Sequence, residues 1–196
     1  MFELENRIAS YMSEYRYNHT LSVVNECIEL AKIFGIDNKD LVVSAYLHDI
    51  SKEIDFQEQL NICKEMGIEI SSDCLSSPKT LHAFTAPAII KRDFPDLFNK
   101  DIIDTVSYHT TGRENMSLCE KLLFLADYIE PKRQFDDCKL LREYFYSNKS
   151  NDWYKTLDET IFLALKFTIS DLLDKKAFIH PKTISAYNYF QKELGW

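Results

Sequence analysis

Glycine and proline are scarce in this chain, four and five of 196 residues, and no segment sustains a strict alternation of polar and apolar residues. With so few turn formers, a sheet-rich fold is excluded and long helices joined by short loops are expected. Positive charge is also short: 23 Lys and Arg against 31 Asp and Glu give a formal net charge of −8. That balance excludes a protein that coats a nucleic-acid polymer, because phosphate backbones are bound by broad basic surfaces. A small phosphorylated ligand, by contrast, needs only a local basic pocket. No apolar run approaches the length of a membrane span. The opening MFELENRIASYMSEY is acidic and amphipathic, without the basic patch and apolar run of a signal peptide, so a cytoplasmic location with no membrane partner is expected. The five cysteines, Cys27, Cys63, Cys74, Cys119 and Cys138, are odd in number and form no C-x-x-C pair. This argues against a disulfide framework or a thiolate zinc site, and for reduced, mostly buried thiols.

What is present is an ordinary globular mixture, 45% hydrophobic and 28% charged, enough for one well-buried domain over residues 1–196. The apolar spacing predicts an all-α fold. A first helix is expected over residues 1–15, and a second from about Asn18 with Leu21, Val24, Ile28 and Ala31 on its apolar face and a stop at Gly35. A third, capped by Asp37 or Asn38, is expected to reach about Lys52. DFQEQLNICKEMG predicts a short helix closed by Gly67, IEISSDCLSSPKT reads as irregular, and Pro87 is expected near a helix start. Ile102, Val106 and His109 share one face before a stop at Gly112, while Ser117 and Glu120 make a capping box for a helix that ends at Pro131. Leu157, Ile161, Leu165 and Leu172 are candidate core positions of a long helix. Pro181 starts the last one after His180, which reads as structural or as a distant substrate contact.

One stretch resists a purely structural account. VVSAYLHDISKEI puts His48 directly before Asp49 in an apolar segment where Leu41, Ala45 and His48 share a face. Five His and sixteen Asp yield about 0.4 His-Asp pairs by chance, so the dipeptide alone carries little. An inward imidazole, however, needs a partner for each ring nitrogen, and an inward carboxylate needs compensating charge; both must be hydrogen-bonded, paired or bound to metal. His19, His82, His109 and Asp127 likewise lie on or at the end of helices, and only the fold can gather them. A single histidine on an apolar face is more often a satisfied core residue, but the ordered set points to chemistry.

In that order, His19, His48-Asp49 and Asp127 in LFLADYIEP resemble the H…HD…D signature of the HD-domain metal-dependent phosphohydrolases. The segments RYNHT, HDISK, LHAFTA, YHTTGR, LADYIEPKR and IHPKTISAYNYF together resemble its YqeK-type branch, the symmetrical bis(5'-nucleosyl)-tetraphosphatases, over most of the chain. The resemblance implies an HD-type helical bundle whose metal site is gathered from several helices. It also implies iron in a mono- or binuclear site with manganese or cobalt as substitutes, a dinucleoside polyphosphate substrate, diadenosine tetraphosphate, and ADP as product. A homodimer stays open. His19, His48, Asp49 and Asp127 are the implied metal ligands, with His82 and His109 serving a second metal or the substrate phosphate. Lys52, on the face of His48 and Asp49, completes the catalytic set. Arg16, Lys52, His82, Thr110, Thr111, Gly112, Arg113 and Arg133 are the expected substrate contacts, Lys132 a further candidate, and Tyr108 and Tyr128 candidates to flank a base. Around His82 the chain departs from the family's L-H-G-x-x-G-A pattern: LHAFTAPAI carries Ala83, Ala86 and Pro87, which alters the close packing beside that histidine.

Imidazole and carboxylate donors without thiolate suit iron, manganese, cobalt or nickel better than a structural zinc. A bound metal lowers the pKa of its water and polarises a phosphoryl oxygen, which is what splitting a phosphoanhydride between two polyanions requires. Two alternatives stand beside symmetrical cleavage of diadenosine tetraphosphate: an HD phosphohydrolase of another nucleotide, and a nucleotide-sensing protein without turnover. The latter would be marked by a missing ligand, and none is missing from the series.

Overall fold

The computed structural model describes residues 2–148 and 152–196, and all regular structure among them is helical. The first helix, α1, is shorter than expected, covering Phe2–Ile8 before a 3-10 turn over Ala9–Tyr11. The chain is then recaptured early, because the Ser13 hydroxyl accepts the Arg16 N–H and starts α2, Glu14–Phe34. Gly35, with φ at 62°, closes α2 in the left-handed conformation. His19 is therefore in the second turn of α2, not the first.

The next helix, α3, spans Lys39–Leu47 and stops short of the expected Lys52. The cause is local: His48 Nδ1 donates to the Ala45 carbonyl at 2.7 Å, the acceptor that a continuing helix would offer to the Asp49 N–H. Residues 48–53 form turns instead. Asp55 caps α4, Phe56–Glu65. The stretch read as irregular contains a one-turn helix, α5, Ser72–Ser76, and a 3-10 turn over Pro78–Thr80. Pro87 does not start a helix; it lies inside α6, Leu81–Asp93. The missing N–H costs a helical hydrogen bond, but Leu81, Ala83, Ala86 and Ile90 are almost fully buried around it and that burial holds the segment helical.

Asn99 caps α7, Lys100–Ser107, and the reciprocal Ser117–Glu120 capping box opens α8, Leu118–Ile129. His109 thus lies two residues past its helix. The remainder is α9, Asp136–Ser147, α10, Trp153–Asp174, and α11, Pro181–Leu194. His180 caps α11, its Nδ1 accepting the Lys182 N–H at 3.2 Å. Leu172 is half-buried, not core, because the end of α10 outruns the bundle and leaves neighbouring Leu173 62% exposed.

The core runs from Ile8 to Phe190 as one hydrophobic cluster. α8 is its axis, packing on α2, α3, α7, α9 and α10, while α6 bridges α4 and α7 and α11 packs along α10. Leu122, Leu123, Phe124, Leu125 and Ala126 are all buried, so α8 is apolar around its whole circumference there. Asp127 follows immediately, at the point where this apolar axis meets the ends of α2, α3 and α7. Ser13 donates to Glu53 through both backbone N–H (2.6 Å) and hydroxyl (2.7 Å), tying the start of α2 to the turn after α3. Ser51 Oγ donates to the His82 carbonyl at 2.7 Å and ties that turn to α6.

Candidate metal centre

Four histidines and two aspartates converge where those elements meet. Asp49 is the hub. Its Oδ2 lies 2.6 Å from Arg16 Nη1, 3.5 Å from His48 Nε2 and 3.8 Å from His19 Nε2. Its Oδ1 lies 3.1 Å from His82 Nε2 and 3.7 Å from His109 Nε2. The donor atoms of His19, His48 and Asp127 fall within 4.8 Å of one another, and so do those of His48, Asp49 and His109. His48 is common to both sets, which gives room for one ion or for two that share this wall.

Three of the rings are oriented in the same way. His48 and His109 each have Nδ1 on a backbone carbonyl, Ala45 at 2.7 Å and Val106 at 2.6 Å, and a carbonyl can only accept. His19 Nδ1 donates to Glu130 Oε1 at 3.1 Å, and Glu130 is held in turn by the Ser22 hydroxyl at 2.5 Å and the Lys132 N–H at 2.6 Å. With the proton on Nδ1, each ring presents the Nε2 lone pair inward, the arrangement in which outer partners fix the tautomer of metal-binding histidines. His19 Nε2 and His48 Nε2 are buried without a hydrogen-bond partner; His19 Nε2 is 3.0 Å from Asp127 Oδ1 but out of line for a hydrogen bond. Buried lone pairs facing carboxylate oxygens need a positive charge between them. The residues present fit a divalent cation.

His82 is held differently. Lys52 Nζ is 3.2–3.3 Å from both of its ring nitrogens and can only donate, and His109 Nε2 is 3.2 Å away. Burial pushes His82 down to about 4 although Asp49 pulls the other way, so it is a neutral imidazole. Burial would also lower His19, but the Asp127 and Glu130 carboxylates overcome it and raise it to about 9, a measure of how much negative charge faces that ring. Burial would raise Asp49 and Asp127; the imidazoles around the first, and Arg133 with His19 beside the second, keep both well below the usual carboxylate range. Lys52 is shifted down by burial, against the pull of Asp49 and Asp127.

Above the cluster opens a cavity of about 590 Å³, lined by Arg16, His19, Asp49, Lys52, Asp127 and Arg133 among the expected residues. Arg133 Nη2 contacts Asp127 Oδ1 at 2.7 Å, and that carboxylate raises its pKa. Lys132 is on the wall as well.

The structure brings only His109 of the YHTTGR turn to the cluster, and none of the turn lines this cavity. Thr111 Oγ1 donates to the Gly112 carbonyl, and Gly112, with φ at 63°, packs so closely on α11 that an added Cβ would meet the Ala186 Cβ at 3.2 Å. Arg113 pairs with Glu120 at 2.6 Å and Asp104 at 3.2 Å and covers the Tyr108 ring at 4.4 Å. These are packing and charge-pairing duties, and Thr110 lines no part of the cavity either. Tyr108 borders a separate cavity with Phe84 and Lys182, and Tyr128 donates to Asp137 at 2.8 Å. Glu130, which holds His19, carries no motif of its own in the sequence. Its signal was a carboxylate three residues after Asp127 at the Pro131 stop, one turn on along a helix otherwise buried.

A family model described as HD domain matches residues 16–132. The chain belongs to the HD-domain family. Two curated relatives are named symmetrical bis(5'-nucleosyl)-tetraphosphatase: that of Halalkalibacterium halodurans is 34% identical over 92% of this chain and 91% of its own, and that of Staphylococcus aureus 33% identical over 91% and 88%. In structure the HD-domain chain resembles, with a TM-score of 0.86 and 28% identity, a protein of Clostridium acetobutylicum described as a predicted HD superfamily hydrolase involved in NAD metabolism; the match covers 97% of this chain and 96% of that one. No helix among the described residues is long and apolar enough to cross a membrane.

Proposed function

We propose that this HD-domain protein hydrolyses diadenosine tetraphosphate symmetrically, releasing two ADP. The observation that carries the reading is the pair of inward, unpartnered Nε2 atoms of His19 and His48 facing Asp49 and Asp127 beneath a cavity walled by Arg16, Lys52 and Arg133. The relatives named for this reaction, aligned over about nine-tenths of the chain, supply the substrate.

The metal ligands are His19, His48, Asp49 and Asp127, with His82 and His109 at the second face of Asp49. An imidazole and carboxylate set of this kind suits iron, with manganese or cobalt as substitutes. A divalent metal supplies a water that is deprotonated near neutral pH and a sink for charge on the phosphoryl oxygens. The chain supplies the rest. Arg16 and Arg133, each anchored on a carboxylate, present guanidinium N–H groups to the polyphosphate. Lys52 is held against His82 with its ammonium at the cavity wall, where it meets the phosphate nearest the cluster. Glu130 holds His19 in register, and Asp127 stays ionised. Cleavage of the bond between the second phosphorus and the oxygen it shares with the third puts the water oxygen on one half and leaves the shared oxygen on the other, so that each half is ADP.

The test is to load the purified protein anaerobically with Fe(II), supply diadenosine tetraphosphate and separate the products by anion exchange. Two ADP per substrate is expected. AMP plus ATP would overturn symmetrical cleavage, and turnover of a different nucleotide alone would establish the other HD phosphohydrolase reading.

A further inference from the structure

Tyr15 and Phe135 are the two large apolar side chains most open to solvent among the described residues, 78% and 70% exposed. Both line the cavity that opens above the histidine cluster, with His19, Asp49 and Asp127. They come from different elements, Tyr15 from the first turn of α2 and Phe135 from the residue that precedes α9. Scattered exposed aromatics need no account; two at one polar mouth do, because each keeps a ring in water that any core position would bury.

The chemistry of the cavity changes in order from floor to mouth. Asp49 is 3% exposed at the floor, the Arg16 and Arg133 side chains are 18% and 30% exposed on the walls, and the two rings stand at the rim. Metal-capable donors, then guanidinium groups, then aromatic faces is the order in which a nucleoside diphosphate presents its terminal phosphate, its inner phosphate and its base. The cavity volume is also of the size that accepts such a ligand. Tyr108 and Tyr128, the other aromatic candidates, are engaged elsewhere.

We propose that Tyr15 and Phe135 are the base platform of this cavity: the base of one nucleoside diphosphate half of the substrate stacks on them while its phosphates run down toward Asp49. The inference deepens the proposed function and rests on it for the identity of the ligand. Stacking on a ring face reads no base edge, so the platform accepts any nucleobase.

The experiment compares ADP with inorganic pyrophosphate on the metal-loaded protein, by calorimetry, for the parent, Tyr15→Ala, Phe135→Ala and the exchange variants Tyr15→Phe and Phe135→Tyr. Each alanine variant is expected to weaken ADP about tenfold, as loss of one base–aromatic stack does, and to leave pyrophosphate unchanged; the exchange variants keep parental affinity for both. Phe135→Trp adds a direct signal, an emission quenched by ADP and not by pyrophosphate. Equal affinities of ADP for parent and alanine variants would overturn the platform, and so would equal weakening of ADP and pyrophosphate. An altered oligomeric state with ADP binding intact would overturn it too, assigning the rings to a contact between copies. The reading of the reaction stands or falls separately, on whether the parent protein turns diadenosine tetraphosphate into two ADP.

Discussion

The ends of α3 and α7 are built alike and do opposite things. Just past each helix stands a histidine, one residue beyond α3 and two beyond α7, whose Nδ1 takes the carbonyl three residues back, Ala45 for His48 and Val106 for His109, and the backbone there forms a turn. After His48 the turn aims Asp49 and Lys52 into the cavity; after His109 it carries Thr111, Gly112 and Arg113 away, onto α11 and Glu120. The same device therefore orients an imidazole in both places, while the residue that follows decides whether charge is left facing the ligand. Asp49 faces five nitrogen-bearing side chains, Arg16, His19, His48, His82 and His109. Gly112 sits against α11 where a β-carbon would crowd the Ala186 Cβ at 3.2 Å.

Removing that difference at its largest point is the first way to break the comparison. Asp49→Asn keeps the shape of the hub and removes its charge, and is expected to lose bound metal and to slow ADP release by about a thousandfold, the scale of losing a charge-stabilising group at a reacting centre. Elemental analysis of the purified variant beside its turnover checks this; a variant that retains both would make the end of α3 as inert as that of α7. The two basic residues sharpen the contrast further. Arg113→Ala strands the buried Glu120 carboxylate, so about 3 kcal/mol of stability should be lost, seen as a melting temperature lower by roughly 6–12 °C, with KM for diadenosine tetraphosphate unchanged. Lys52→Ala should do the reverse, raising KM about tenfold through one lost charge-assisted hydrogen bond with little change in melting.

His19 shows how far the sequence could be read. The ordered H…HD…D residues are legible as a set because the chain has only five histidines and these fall within or beside apolar segments, and the all-α fold follows from spacing and the poverty of turn residues. The partner that orients His19 was not legible as such. Glu130 lies 111 residues away in sequence, and at a helix stop it resembles any exposed acid until α2 and α8 are packed. For the same reason the YHTTGR turn read as a phosphate cradle: polar residues after a histidine look alike whether they face a ligand or another helix. Pro87 failed for a different cause, since burial of α6 on both sides overrides a local preference that holds at exposed positions. Glu130→Gln should retain the fold and weaken metal binding 10- to 100-fold, about the measured range for outer partners of metal-binding histidines, checked by competition with a chromophoric chelator. An unchanged affinity would mean that the α8 carboxylate only buttresses the bundle.

Gly112 gives the smallest effect and the cleanest separation of the two turns. Placing alanine there puts a β-carbon on a residue with φ at 63° and 3.2 Å from the Ala186 Cβ. The left-handed backbone alone costs about 1–2 kcal/mol for a residue with a side chain. Gly112→Ala is therefore expected to lower stability by about that amount in chemical denaturation, and to leave KM and bound metal unchanged. If KM rose instead while stability held, the backbone N–H groups of this turn would be touching substrate. The ends of α3 and α7 would then be two halves of one phosphate site, and not one catalytic turn and one structural turn built on the same histidine.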